Sequence, residues 1–118
     1  MYLSHPPTGS PETEPRIVTS PSPSSGLYIR TRGGSLRRVA IPPDALAFQT
    51  GEALELATDG QLRATPHCVR AGRGNSSEII SRETFALFMQ PDTRQAISAT
   101  ETFGEFSKRI FDEHYEEM

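Results

Sequence analysis

"GQLRATPHCVRAG", residues 60–72, decides how the rest of the chain reads. It begins directly after Asp59-Gly60, a dipeptide that suits a tight hairpin turn. From Gln61 onward it would run as the return strand of that hairpin, reaching His67 behind Pro66. His67 is then either a metal ligand held at a strand end or a plain polar strand residue. Its neighbour Cys68 does not make a Cys/His ligand pair with it, because adjacent strand residues point to opposite faces. Cys68 reads better as a small apolar residue.

Working outward, "DALAFQTGEALELAT" (44–58) is ambiguous. Ala, Leu and Glu favour helix, whereas the break at Gly51 and the short pieces on either side favour two strands. Upstream, "GLYIRT" (26–31), a turn at "RGG" and "SLRRVAIPP" (35–43) read as two strands, the second stopped by a proline pair. Downstream, "EIISRETFALFMQ" (78–90) is the clearest strand. Ile80, Arg82, Thr84, Ala86 and Phe88 share one face, and Ile79, Glu83, Phe85, Leu87 and Met89 the other. Arg82 among Ile80, Ala86 and Phe88 is expected to point into the fold, where it would need an anionic partner.

The ends differ in character. Residues 1–25 form a Pro/Ser-rich loop or tail, with six of the ten prolines falling in 4–25. "TETFGEFSKRIFDEHYEEM" (100–118) is an amphipathic helix. Thr102 and Glu105 have capping-box spacing, and Phe103, Phe106 and Ile110 form an apolar stripe with Phe111 beside it. The expected fold is therefore mainly β, a barrel or jelly-roll piece with a C-terminal amphipathic helix.

Length and charge set outer limits. A chain of 118 residues suits one small domain. A net charge of −3 gives no bulk attraction to nucleic acid or anionic membrane. "RTRGGSLRR" (30–38) is basic, yet only Tyr28 lies near it for stacking on a base, so it reads as a solvated turn. No apolar run approaches 18 residues, so no membrane span is expected, and "MYLSHPPTGSPE" lacks the features of a secretory signal. One cysteine permits no internal disulfide, which fits a reducing, cytoplasmic setting.

Arg82 and Thr84 stand two apart on one strand face, a spacing suited to holding a carboxylate by a guanidinium fork and a hydroxyl. With His67, they carry a resemblance. Gly51, Thr58, Gly60, Pro66, His67, Val69, Arg82, Thr84, Phe88 and Pro91 follow the order seen in the C-terminal half of the isopenicillin N synthase-like Fe(II)/2-oxoglutarate-dependent dioxygenases. The resemblance spans residues 26–91. It implies a partial double-stranded β-helix (jelly roll) over 26–118, with His67 as the distal iron ligand and Arg82 and Thr84 clamping the 5-carboxylate of 2-oxoglutarate. The implied activity is that of an oxidoreductase: O2-dependent hydroxylation or oxidation of a substrate, with release of succinate.

Departures from the pattern shape the expectation. Cys68 stands where the family has arginine, and "RAGRGNSSE" (70–78) reads as a turn insertion before the Arg82 strand. The family's His-x-Asp, which supplies the other two iron ligands, occurs nowhere in the chain, and His114-Tyr115-Glu116 lies on the wrong side of His67. Two histidines and a carboxylate make an Fe(II) site; one imidazole does not hold the metal. The expectation is a truncated domain, inactive alone, with "MYL" as the end of an upstream strand. The alternative is a non-catalytic binding module or vestigial half-domain. The primary substrate and oligomeric state are left open.

Overall fold

The computed structural model describes residues 1–72 and 77–115. The chain is mainly β: two three-stranded antiparallel sheets, a short helix and a C-terminal helix. Its residues form two compact units, each assembled from two separate stretches. One comprises Met1–Pro42 and Pro66–Leu87, the other Pro43–Thr65 and Phe88–Met118.

The first unit holds both sheets. β1 (Tyr2–His5) is the centre of one, flanked by β2 (Arg16–Val18) and β6 (Ile79–Arg82). The register sets Tyr2 opposite Val18 on one side and opposite Arg82 on the other. The expected loop or tail over residues 1–25 thus contributes two strands. Four of the prolines lie between "YLSH" and "RIV" and two follow "RIV", so neither ladder loses an N–H donor. Tyr2 and Leu3 of "MYL" are the first two residues of β1, not the end of a strand.

The second sheet has β3 (Gly26–Arg30) at its centre, between β4 (Leu36–Val39) and β5 (His67–Arg70). The hairpin read from "GLYIRT", "RGG" and "SLRRV" forms with Leu27 opposite Val39 and Arg30 opposite Leu36. Thr31 and Ser35 close its turn, where Gly34 takes a φ of 82°. β5 is a return strand as expected, but its partner is β3 rather than a strand from 44–58.

Residues 44–58 resolve toward helix. α1 (Glu52–Ala57) is a six-residue helix, and Asp59-Gly60 closes its C-terminus instead of turning a hairpin. Asp59 has φ 51° and Gly60 φ 76°, and the Gly60 N–H returns to the Glu55 carbonyl, a left-handed helix ending. Helix propensity in Glu-Ala-Leu-Glu-Leu-Ala outweighs the break at Gly51. The segment after the helix folds back through the Ala64 N–H to Glu55 and the Thr65 N–H to the Thr50 carbonyl.

The strand expected over 78–90 stops at Arg82. Glu83 N–H still reaches the Met1 carbonyl, and the Met1 amine donates to the Glu83 carbonyl at 3.3 Å, but residues 84–90 make no backbone hydrogen bond among the described residues, and a strand without a partner has no ladder. The turn expected over 70–78 includes residues 73–76, which lie outside the described residues, as do 116–118 of the expected helix.

α2 (Phe103–Tyr115) belongs to the second unit and carries its core. Ile97, Phe103 and Phe106 are buried, with Ala53 and Ile110 packed against them. Phe111 lies outside this core, 59% exposed, with its ring stacked on Tyr115. The first N–H groups of a helix have no partner within it; here each finds one. Phe103 N–H donates to the Gln95 carbonyl and Gly104 N–H to the Thr93 carbonyl, both at 2.8 Å. Glu105 N–H donates to Thr102 Oγ1 at 3.3 Å, and Thr102 N–H donates back to Glu105 Oε2 at 2.8 Å, which is the expected capping box. Gly104 permits this: a Cβ there would lie 2.9 Å from the Thr93 oxygen. Arg109 then forks onto Glu101, Nε to Oε1 at 2.9 Å and Nη2 to Oε2 at 3.0 Å.

Both carboxylates respond. Arg109 holds Glu101 below the usual range, and Glu105 is held down first by the Thr102 backbone N–H and then by its hydroxyl. A depressed carboxylate stabilises the fold fully above its unfolded value, and that contribution disappears as pH falls through the folded value. Far-UV circular dichroism should therefore show α2 losing helicity as pH drops below about 4.3. Glu105→Gln, which keeps a capping-box acceptor, should flatten the part of that loss due to the cap. Thr102→Ala should cost about 1 kcal/mol in urea unfolding at neutral pH.

Candidate functional site

Arg82 is the last residue of β6, opposite Tyr2 on β1. Alternation along β6 sets Ile80 on the same face. These three line an open cavity of about 350 Å³, together with Pro21, Glu78 and the stretch Val69–Gly72 that ends β5. That volume is at the small end of ligand-binding clefts.

Two guanidinium groups border this space. Arg70 lies with its Cζ 4.6 Å from the centroid of the Tyr28 ring, a cation–π contact that steadies it on the β3–β5 ladder. Arg82 and Arg70 are both exposed, so the expectation that Arg82 is buried in an apolar interior is not met. The strand that would have enclosed it ends at its own position. Among the described residues neither arginine is ion-paired to a carboxylate.

Tyr2 lines the same cavity. It donates to Ser25 Oγ at 3.2 Å. The hydrogen bond with Ser25 holds the Tyr2 phenol below its ordinary range, partial burial opposes the shift, and Ser20, Arg82 and Arg38 favour it. Ser25 is completely buried and donates to the Ser22 carbonyl, while Arg38 Nε donates to the Ser25 carbonyl at 2.9 Å.

The other sequence-predicted residues are not brought to this cavity. His67 begins β5, opposite Ile29, on the sheet that does not contain Arg82. It is exposed and hydrogen-bonded or otherwise engaged within the chain. Cys68 faces Tyr28 across the ladder, so it and His67 fall on opposite faces as the alternation requires. Thr84 is beyond the end of β6 and is exposed, so the shared strand face that would pair it with Arg82 is not formed. Among the described residues no three His, Cys, Asp or Glu side chains come together as a metal site. The donor set therefore does not fit iron.

Sequence reasoning missed Tyr2, Arg70 and a polar relay across β1 and β6. His5 Nε2 lies 2.7 Å from Ser81 Oγ, which in turn donates to Glu83 Oε1 at 2.6 Å. A nucleophilic serine needs the histidine to accept its proton. Here the serine proton goes to Glu83, so the relay ties β1 to β6 rather than activating Ser81. Recognition of "YLSH" as a strand would have revealed Tyr2 and the relay, because both depend on the β1–β6 register, whereas Arg70 depends on the β3–β5 ladder.

Compared with protein-family models, curated proteins and solved structures, the chain matches none. No helix among the described residues is long and apolar enough to cross a membrane.

A pH titration of the Tyr2 ring carbons by NMR should place its ionisation below that of an ordinary tyrosine. Ser25→Ala should move it upward most, and Arg82→Ala by a smaller step.

Proposed function

We propose that the chain is the C-terminal part of a domain similar to the Fe(II)/2-oxoglutarate-dependent dioxygenases, acting in the cytoplasm, and that its own contribution is to hold a small dicarboxylate. The two sheets would be strands of an incomplete jelly roll. The observation that carries this reading is the convergence of Arg82 and Arg70 on one cavity, with neither arginine neutralised by a carboxylate among the described residues. A guanidinium gains most from a carboxylate or phosphate it can bind with two parallel hydrogen bonds. A second cation lining the same small cavity favours an acid with two negative charges, and 2-oxoglutarate is such a molecule.

Arg82 would take one carboxylate, as the resemblance implies. Arg70 would meet the second. Thr84 would reach the same acid only if the strand were continued past Arg82. His67 remains the one imidazole placed in the order the family requires, and no iron-dependent step follows from it alone. The absence of a three-ligand group among the described residues favours a second reading, a non-catalytic module that binds the acid without oxidising anything.

Thermal unfolding and calorimetric titration with 2-oxoglutarate separate these readings. At ten times its Kd the acid should add about 1.4 kcal/mol to stability, a Tm rise of roughly 5 °C or more for a domain of this size. Arg82→Ala should remove the effect and Arg70→Ala should weaken it. An added gain from Fe(II), lost in His67→Ala, supports the oxygenase reading; a gain from the acid alone supports the binding module. No response to the acid in the unaltered chain would sink both.

A further inference from the structure

Residues 84–90, "TFALFMQ", carry no charge, no proline and no glycine. Among the described residues, nothing in the chain hydrogen-bonds to them. Phe85 is 96% exposed and Met89 82%, with Leu87 and Phe88 nearly as open. The segment continues β6, which is an edge strand bonded on one side to β1. Its composition is that of a strand, and its backbone donors and acceptors have no ladder to enter. Such a segment recruits another strand.

The charges at its two ends say which strand. Arg82 and Glu83 precede it and Asp92 follows Pro91. Stacked parallel and in register on a second copy, Arg82 would face Arg82 and Asp92 would face Asp92. Paired antiparallel about Leu87, each residue meets the one whose number sums with its own to twice 87. Arg82 then faces Asp92 of the second copy at both ends, Phe85 faces Met89, Ala86 faces Phe88, and Leu87 faces itself. Opposite charges directly across a ladder attract and like charges repel, and sulfur against an aromatic ring adds to the contact. Glu83 meets Pro91, whose missing N–H is tolerated at a ladder end. Asp92 is free to take part: its local contacts with the Arg94 N–H and Nε use one oxygen, and its side chain is 65% exposed.

We propose that residues 84–90 form an antiparallel strand pair with the same residues of a second copy, giving a two-fold dimer centred on Leu87. This is an isologous interface, one patch serving both sides. It goes beyond the acid-binding reading and does not rest on it. Since a dicarboxylate would compete for Arg82, the test is made without one.

Sedimentation equilibrium of the full chain should show a reversible monomer–dimer equilibrium. Arg82→Asp alone and Asp92→Arg alone should each raise the dimer Kd several-fold, and the two together should bring it back. In a Cys68→Ser background, Leu87→Cys should form a disulfide-linked dimer under mild oxidation. Phe85→Cys should not, because two copies of residue 85 are offset by four residues, about 13 Å along the strands. The equimolar mixture of Phe85→Cys and Met89→Cys chains should cross-link. A monomer at every concentration, which is the outcome if a different polypeptide covers the segment, overturns the proposal. So does equal cross-linking at 85 and 87, the mark of unspecific aggregation, or a double charge reversal that restores nothing.

Discussion

Ser25 is the one side chain in the described structure with no exposure at all, and the first unit is organised around it. Its hydroxyl receives the Tyr2 phenol from β1, contacts the Ser20 hydroxyl and donates to the Ser22 carbonyl. Its carbonyl accepts from Arg38 of β4. One small residue thus binds a strand of each sheet to the loop between them. A buried hydroxyl that lost these partners would carry its full desolvation cost, so the loop conformation and the placing of Tyr2 are tied together. Arg82 faces Tyr2 across the β1–β6 register, and the site inherits its geometry from that hub.

The parts of the fold that were legible from sequence are those settled by local chemistry. The α2 cap follows from Thr102 and Glu105 at a fixed spacing, and its buried stripe from the helical period of Phe103 and Phe106. The β3–β4 hairpin follows from two alternating runs around a glycine turn. What was not legible depends on partners distant in the chain. Asp59-Gly60 fits a hairpin or a helix ending equally well by conformation, and only the short helix before it decides. The 78–90 run has strand character throughout, yet only Ile79–Arg82 is a strand, paired with β1.

The site divides the same way. Arg82, singled out by its place in an ordered set of residues, lines the cavity. Tyr2 and Arg70 carried no comparable signal. Tyr2 sits in a stretch that composition assigns to a tail, and Arg70 falls where the return strand gives way to the turn insertion. His67 kept its strand, but on the sheet that does not carry Arg82. Spacing along a sequence fixes which face a residue takes on its own strand, and says little about which strand lies next to it.

The two units exchange the chain three times, at residues 42–43, 65–66 and 87–88. Neither unit is a contiguous piece that could be cut out and kept. When β5 joins β3, the ends of the 43–65 stretch are already drawn together, and the entropy of closing that loop is spent once for both units. Loss of the β3–β5 ladder would return that freedom to the other unit and loosen the contact of Ala53 with its aromatic core. Threading of this kind makes for cooperativity: heat or denaturant should melt the chain in one transition, although its residues divide into two units.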